Sequence, residues 1–400
     1  MLSKFNKIDT KNLFLLVMLC CATTHIVAQI KPSQNHVGTN YSIASEALKE
    51  ARQIQVFLPD GYEKTAADFP VLYLLDGQRL FPFGVSLLQS FTQFQQTPGF
   101  IVVGITNKYP DRFGHFSAKD NKFLTFLEKE VVPFVDANFK TSKERLLFGW
   151  EYGGSFAMQV LIEKPNLFDT YIASSPYPIT DKLTELSEAV SQNSHVHKTL
   201  HFSVSPNESQ VIIGTEKLAQ MFTEKAPKTL QWTYKILENE EHRSTPYSTL
   251  YWSIKNYYEI YPELQFNTLL EFENAGGLDH VYAYYQKRAS KYGFSKDLTD
   301  WTMFSLTRTA IRANDYKTFV TLVRAFEKTN FLSRLSVHRF SSIAEFYAKN
   351  KNYEKAITLF KQLAENHSKS ERPLKGLVDC YNALENTKMS SFYLSKIKEL

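Results

Sequence analysis

The sequence predicts an α/β protein, with a mostly parallel sheet covered by helices and then an all-α, helical-repeat tail. Three observations predict it. Between about Tyr41 and Tyr261, short β-branched or aliphatic runs alternate with amphipathic stretches and are separated by Pro, Gly and Asp, the texture of βαβ units. From about Leu278 onward the strand-like runs stop, and long amphipathic stretches rich in Lys, Glu, Ala, Tyr and Phe take over. Within that tail Tyr381 follows Tyr347 by 34 residues, the period of a tetratricopeptide helix pair.

At the N-terminus, Lys4, Lys7 and Lys11 precede an apolar run, Leu13 to Cys21, that fades into small residues ending at Ala28. This reads as a signal peptide cleaved after Ala28, and the run falls short of the roughly 18 apolar residues of a spanning helix. No later stretch reaches that length, so the mature chain is expected to be periplasmic or secreted, without a membrane span. Removing residues 1–28 takes away three lysines and one aspartate and lowers the formal net charge from +5 to +3. That balance implies no nucleic-acid partner. Only Cys380 remains, so no internal disulfide is available and stability must come from packed cores. The expected order is a signal peptide (1–28), a sheet domain (29–262), a linker (263–277) and a helical tail (278–400).

Seven strands are expected, at Ile54–Leu58, Val71–Leu75, Ile101–Ile105, Leu146–Phe148, Thr170–Ala173, Leu200–Val204 and Leu230–Ile236. Phe123, Phe126, Leu127, Val131, Phe134 and Val135 recur near helical spacing and predict a helix over 123–137. In the tail, Ala344, Tyr347, Tyr353, Ala356 and Phe360 fit one helix-pair repeat, and Ala310, Tyr316, Phe319 and Val323 fit a looser preceding unit. About three repeats are needed for a continuous core, so the tail is expected to pack on the sheet domain, on a second copy or on a protein partner.

One segment carries chemistry. Leu146-Leu147-Phe148-Gly149-Trp150-Glu151-Tyr152-Gly153-Gly154 is an apolar strand running into a Gly-x-x-x-Gly-Gly turn and then a helix from Ser155. In α/β-hydrolases this is the nucleophile elbow, a strained strand-to-helix turn whose flanking glycines make room and whose central side chain stands clear of the sheet. Here the central residue is Glu151. A shifted Gly153-x-Ser155 reading would place the hydroxyl inside the helix, away from the crown of the turn.

With its surroundings, the elbow resembles the esterase family that includes esterase D and the enterobactin-type siderophore esterases. The resemblance spans about Tyr41 to Tyr258. It rests on Val56-Phe57-Leu58-Pro59-Asp60-Gly61-Tyr62, Pro70-Val71-Leu72-Tyr73-Leu74-Leu75-Asp76-Gly77, Ile101-Val102-Val103-Gly104-Ile105, the Phe139–Gly154 segment, Ser174-Ser175-Pro176 and Glu241-His242. It implies an α/β-hydrolase fold, His242 as general base and Glu208 as the carboxylate that orients it. It also implies an oxyanion hole from the backbone N–H of Tyr152 and a second N–H near Gly77 or Gln78. Arg112 lies where the family carries an arginine segment beside the site, and would bind an acidic substrate group. A small-molecule ester or siderophore-like ligand is implied, with no cofactor and no metal.

The family's serine is absent, and that departure leaves three functions open. The first is a hydrolase by descent, weak or inactive, whose pocket or tail binds a ligand. The second is an active hydrolase using Glu151 as base or nucleophile with His242, and the third is a scaffolding protein acting through its tail. A carboxylate attacking an acyl carbon would form an anhydride less stable than the ester, so acyl transfer through Glu151 is disfavoured. Two carboxylates around His242 are expected to favour the imidazolium and, in a dry site, to raise one carboxylate pKa.

Overall fold

Runs such as Ile101–Ile105 are apolar at every position, which in a sheet requires cover on both faces. The computed structural model, which describes residues 37–117, 120–192 and 197–400, supplies that cover. The leader expected over residues 1–28 lies outside the described residues. The sheet has eight strands: β1 (Thr39–Ser45), β2 (Glu50–Phe57), β3 (Phe69–Leu75), β4 (Ile101–Ile105), β5 (Thr141–Trp150), β6 (Thr170–Ser174), β7 (Lys198–Val204) and β8 (Leu230–Ile236). Their order is β1-β2-β4-β3-β5-β6-β7-β8. Pairing is antiparallel for β1–β2 and β2–β4 and parallel from β4 to β8. Seven strands stand where the sequence placed them, and the α/β-hydrolase fold with a helical C-terminal region is what the chain adopts. The eighth, β1, escaped the sequence reading because its outer face is solvated and its apolar positions, Tyr41 and Ile43, are only partly buried.

Helices α1 (Gly77–Gln93) and α8 (Thr245–Tyr257) cover one face, where Leu80, Val85, Leu88, Leu250 and Ile254 meet Leu72, Leu74, Phe148 and Ile172. The other face carries α2 (Asp111–Ser117), α3 (Lys122–Phe126), α4 (Val132–Asn138), α5 (Tyr152–Glu163), α6 (Leu183–Gln192) and α7 (Ser209–Lys225) over Val71, Tyr73, Leu147, Tyr171 and Phe202. The helix expected over 123–137 is α3 and α4 joined through a π turn at Leu127–Val131. Pro133 explains the widening: it has no N–H to offer the carbonyl one turn back.

The tail comprises α9 (Leu269–Asn274), α10 (Gly277–Tyr292), α11 (Asp300–Ala313), α12 (Tyr316–Phe326), α13 (Val337–Lys349), α14 (Tyr353–Asn366), α15 (Glu371–Ala383) and α16 (Thr387–Lys398). The segment expected as a linker, 263–277, thus contains α9, whose Leu269 and Phe272 are buried in the tail core. The pairs α11/α12, α13/α14 and α15/α16 are joined by one turn used three times. A left-handed residue (Asn314, Lys351, Glu385) is followed by Asp315, Asn352 or Asn386. The N–H of that second residue bonds the carbonyl of Ala310, Tyr347 or Tyr381, and its side chain caps the next helix at Thr318, Lys355 or Met389. The left-handed residue stops one helix and the Asx cap starts the next, so each short connection forces its two helices antiparallel. The repeat residues Ala310, Phe319, Ala344, Tyr347, Ala356, Phe360 and Tyr381 are all buried together.

The tail is seated on the C-terminal end of α8. Tyr258 and Tyr261 meet Tyr292 at ring-centroid distances of 6.1 and 5.1 Å. Arg288 of α10 donates to the Tyr261 carbonyl at 2.8 Å and stacks on Phe294 at 4.0 Å. Tyr258, 1% exposed, also donates its hydroxyl to Glu144 of β5 at 2.7 Å. Tyr258→Phe keeps the ring and removes that bond to a charged acceptor, so urea unfolding is expected to show a loss of roughly 1.5–3 kcal/mol; an unchanged midpoint would show that the bond contributes nothing to the seam.

Candidate functional site

The elbow forms where β5 meets α5. Glu151 has φ 56° and ψ −117°, outside the regions comfortable for an L-residue, and its neighbours hold it there. Its N–H donates to the Ser174 carbonyl at 2.9 Å, and its carbonyl accepts from the N–H groups of Ser155 and Tyr177 at 3.0 and 3.1 Å. Gly149 is obligatory, since a Cβ there would lie 2.0 Å from the Gly153 carbonyl oxygen. Ser155 is buried within α5 and donates its hydroxyl to the Pro178 carbonyl, so the shifted-nucleophile reading has no exposed hydroxyl behind it.

His242 arrives on the loop between β8 and α8. The Trp150 indole N–H and the Thr245 hydroxyl both donate to its carbonyl at 3.0 Å, and its ring lies 4.9 Å from that of Trp150. Glu208, 8% exposed, follows β7 and stands just before the first turn of α7, with its side chain turned to other partners. Its Oε2 lies 2.5 Å from His242 Nδ1, and its Oε1 accepts from the Ser175 hydroxyl at 2.8 Å and from the Ser205 N–H at 2.9 Å. On the other side, Glu151 Oε1 stands 3.8 Å from His242 Nε2, an ion-pair distance longer than a hydrogen bond. The structure therefore brings the three residues that the resemblance singled out, Glu151, His242 and Glu208, together around one imidazole.

Arg112 departs from its expected role. Its guanidinium is bidentate to Asp76, with Nε and Nη2 at 2.7 and 2.8 Å, and gives Nη1 to Glu151 Oε2 at 2.9 Å. The acidic group it binds belongs to the chain itself. Asp76 is the functional residue that sequence reading missed. It is fully buried at the end of β3, and a buried aspartate after an apolar strand is the signal that a cation must be waiting for it. The result is one line of alternating charge: Asp76, Arg112, Glu151, His242, Glu208.

The charges follow from that line. Glu151 first, then Glu208, pushes the His242 imidazole up to about 9, against its partial burial. Glu151 is held below the usual carboxylate range by His242, with burial opposing and Arg112 assisting. For Glu208 burial pulls upward, but His242, the Ser205 N–H and the Ser175 hydroxyl together hold it below that range. Neither glutamate is raised, because each has its own donors and Glu151 keeps 26% of its side chain exposed, so the site is not the dry one in which a rise was expected. The raised carboxyl is Asp76, where burial outweighs Arg112.

The backbone N–H groups of Tyr152, Gly77 and Gln78 lie in the first turns of α5 and α1, where a helix offers them no acceptor of its own. Gly77 passes so close to β4 that a Cβ would sit 2.6 Å from the Gly104 carbonyl carbon. The Gln78 side chain accepts from the Asn107 N–H at 2.8 Å and donates to the Asn107 carbonyl, pinning the loop that leads to Arg112. Among the described residues no group of three or more His, Cys, Asp or Glu side chains is arranged to hold a metal ion. No helix among them is long and apolar enough to cross a membrane.

Residues 45–286 match the family described as "Putative esterase", and the chain belongs to that family. It is similar to YbbA of Bacillus subtilis, 26% identical over 140 residues that cover 31% of this chain and 56% of YbbA. It is also similar to the ferri-bacillibactin esterase BesA of Bacillus subtilis, 27% identical over 139 residues covering 28% of this chain and 48% of BesA. The chain thus spans about half the length of these relatives. Among solved structures, an IroE-like serine hydrolase from Shewanella oneidensis superposes with a TM-score of 0.53 at 24% identity, over 71% of this chain and 97% of that one, a likeness of fold.

The His242 shift has a signed consequence. A histidine whose folded pKa lies above its ordinary 6.5 stabilises the fold fully below pH 6.5, and the contribution is lost as pH rises through about 9. Glu151 and Glu208 stabilise above their ordinary 4.5, and that part is lost as pH falls through their lower folded values. The stability gap between wild type and His242→Gln is therefore expected to be widest near pH 6 and to close toward pH 10 in urea unfolding. Imidazole NMR titration should place His242 near 9 in wild type and distinctly lower in Glu151→Gln; equal values would remove Glu151 as the cause.

Proposed function

We propose that this chain is an exported esterase-family protein whose site has been converted from ester hydrolysis to ligand binding. Glu151 carries the reading. At the crown of the elbow, where serine hydrolases keep a hydroxyl, it holds a carboxylate paired with Arg112 and facing a protonated His242. An imidazolium has no lone pair with which to accept a proton, so below about pH 9 the general base is switched off. Attack by Glu151 on an acyl carbon would yield the less stable anhydride and would break the ion pair to Arg112. Loss of the serine alone costs on the order of a million-fold in turnover.

The esterase descent, and the similarity to a ferri-bacillibactin esterase, support a small ester or siderophore-like molecule as ligand. The N–H groups of Tyr152 and of Gly77 or Gln78 would meet its carbonyl oxygen. The apolar run before Ala28 supports a periplasmic or secreted location, and the threefold helix-turn-helix tail supports a tetratricopeptide-like role in partner binding or self-association.

Short p-nitrophenyl esters test the reading. Wild type is expected to be inert, and Glu151→Ser is expected to gain turnover that disappears in Glu151→Ser/His242→Ala. Wild-type hydrolysis abolished by both Glu151→Gln and His242→Ala would instead make Glu151 a catalytic residue and defeat the proposal.

A further inference from the structure

The first helices of the three tail hairpins, α11, α13 and α15, pack side by side and share one surface. Two of its arginines are neutralised, Arg334 beside it by Asp300 at 2.6 Å and Arg372 by Glu345 at 3.0 Å. Three are not. Arg308 and Arg339 both stack on Trp301, with their guanidinium carbons 5.2 and 4.8 Å from the ring centroid, and both also reach Phe304, at 5.8 and 5.5 Å. Arg312 follows Arg308 by one helical turn. Among the described residues none of the three has a carboxylate within ion-pair distance, and Arg308 Nε is buried without an acceptor. Burial first, then the charges of Arg312 and Arg339, holds the Arg308 pKa below its ordinary value.

Gathering three unpaired guanidiniums on one face, two of them on one indole and the third a turn from Arg308, is unfavourable unless something anionic completes them. We propose that this surface docks an acidic segment of a partner protein, whose side-chain carboxylates take the three guanidiniums while its backbone lies along Trp301. Planar guanidiniums offer paired N–H groups that match carboxylates, and stacking on an aromatic ring fixes their direction in advance. Arg312 and Arg339 are exposed on an open helical face. A small anion would call for donors converging in a concavity, whereas donors spread over two helices fit several carboxylates along one chain. Nothing in this assignment depends on the state of the hydrolase site.

A fluorescein-labelled hexaglutamate peptide, followed by anisotropy against the full chain in low salt, tests it. Binding is expected, weakened at least about tenfold by Arg312→Gln/Arg339→Gln, as befits two lost charge-assisted contacts. Lys225→Gln/Lys228→Gln removes the same net charge from exposed positions elsewhere and should change affinity less than about twofold, which separates a site from general attraction. Because Arg312 and Arg339 are exposed, thermal melts of their double variant should match wild type, and Arg312→Gln alone reads the same contact if they do not. The proposal is overturned if hexaglutamate does not bind, or if both double variants bind it equally. It is also overturned if inorganic phosphate displaces the peptide as well as glutamate peptides do, or if a dT12 oligonucleotide binds as tightly.

Discussion

At the carboxyl end of β5 the backbone turns so sharply that Glu151 must adopt φ 56°, and most of the site is arranged around holding it there. Three backbone hydrogen bonds from β6, α5 and the Tyr177 loop fix the turn, and Gly149 leaves the space through which the chain returns. The turn also decides what the side chain meets. A residue lifted clear of the sheet faces the loop after β8 and the helix after β4, and those elements bring His242 and Arg112. Glu151 is long enough to reach both, and it joins the Asp76–Arg112 pair to the Glu208–His242 pair in a single line of alternating charge.

That line separates two properties of the His242 ring, its orientation and its charge. Orienting His242 needs only Glu208, Ser175 and the Ser205 N–H, and all three are in place. Glu151, facing the other ring nitrogen, favours the protonated imidazole. Pairing is also what makes a buried Asp76 tolerable, because an isolated carboxylate at the end of an apolar strand would have to neutralise itself. The orientation of the ring thus rests on Glu208, while Glu151 adds to Glu208 in favouring its charge.

Much of this was legible in the sequence where local pattern and global fold agree. The limits of β4 and β8 coincide with the apolar runs that announced them, and the elbow was readable because its glycines sit between a strand and a helix. Other features depend on distant partners and leave only faint local traces. β1 is a half-exposed edge strand with two apolar positions, and the role of Arg112 is set by Asp76, 36 residues earlier. The short helix Leu269–Asn274 looked like a linker because only Leu269 and Phe272 of its six residues face a core. The π turn before Pro133 shows the same limit, since spacing predicted the helix but not the local widening that a proline imposes.

Helix α8 begins three residues after His242 and ends in the tyrosine seam that seats the tail. Its 13 residues make a rod of about 20 Å, fastened by Thr245 to the His242 carbonyl and by the neighbouring Tyr258 to β5. Buried along its length against β6 and β7 through Thr249, it has little freedom to bend. One straight helix therefore runs from the tyrosine seam under the tail to the loop that carries the imidazole.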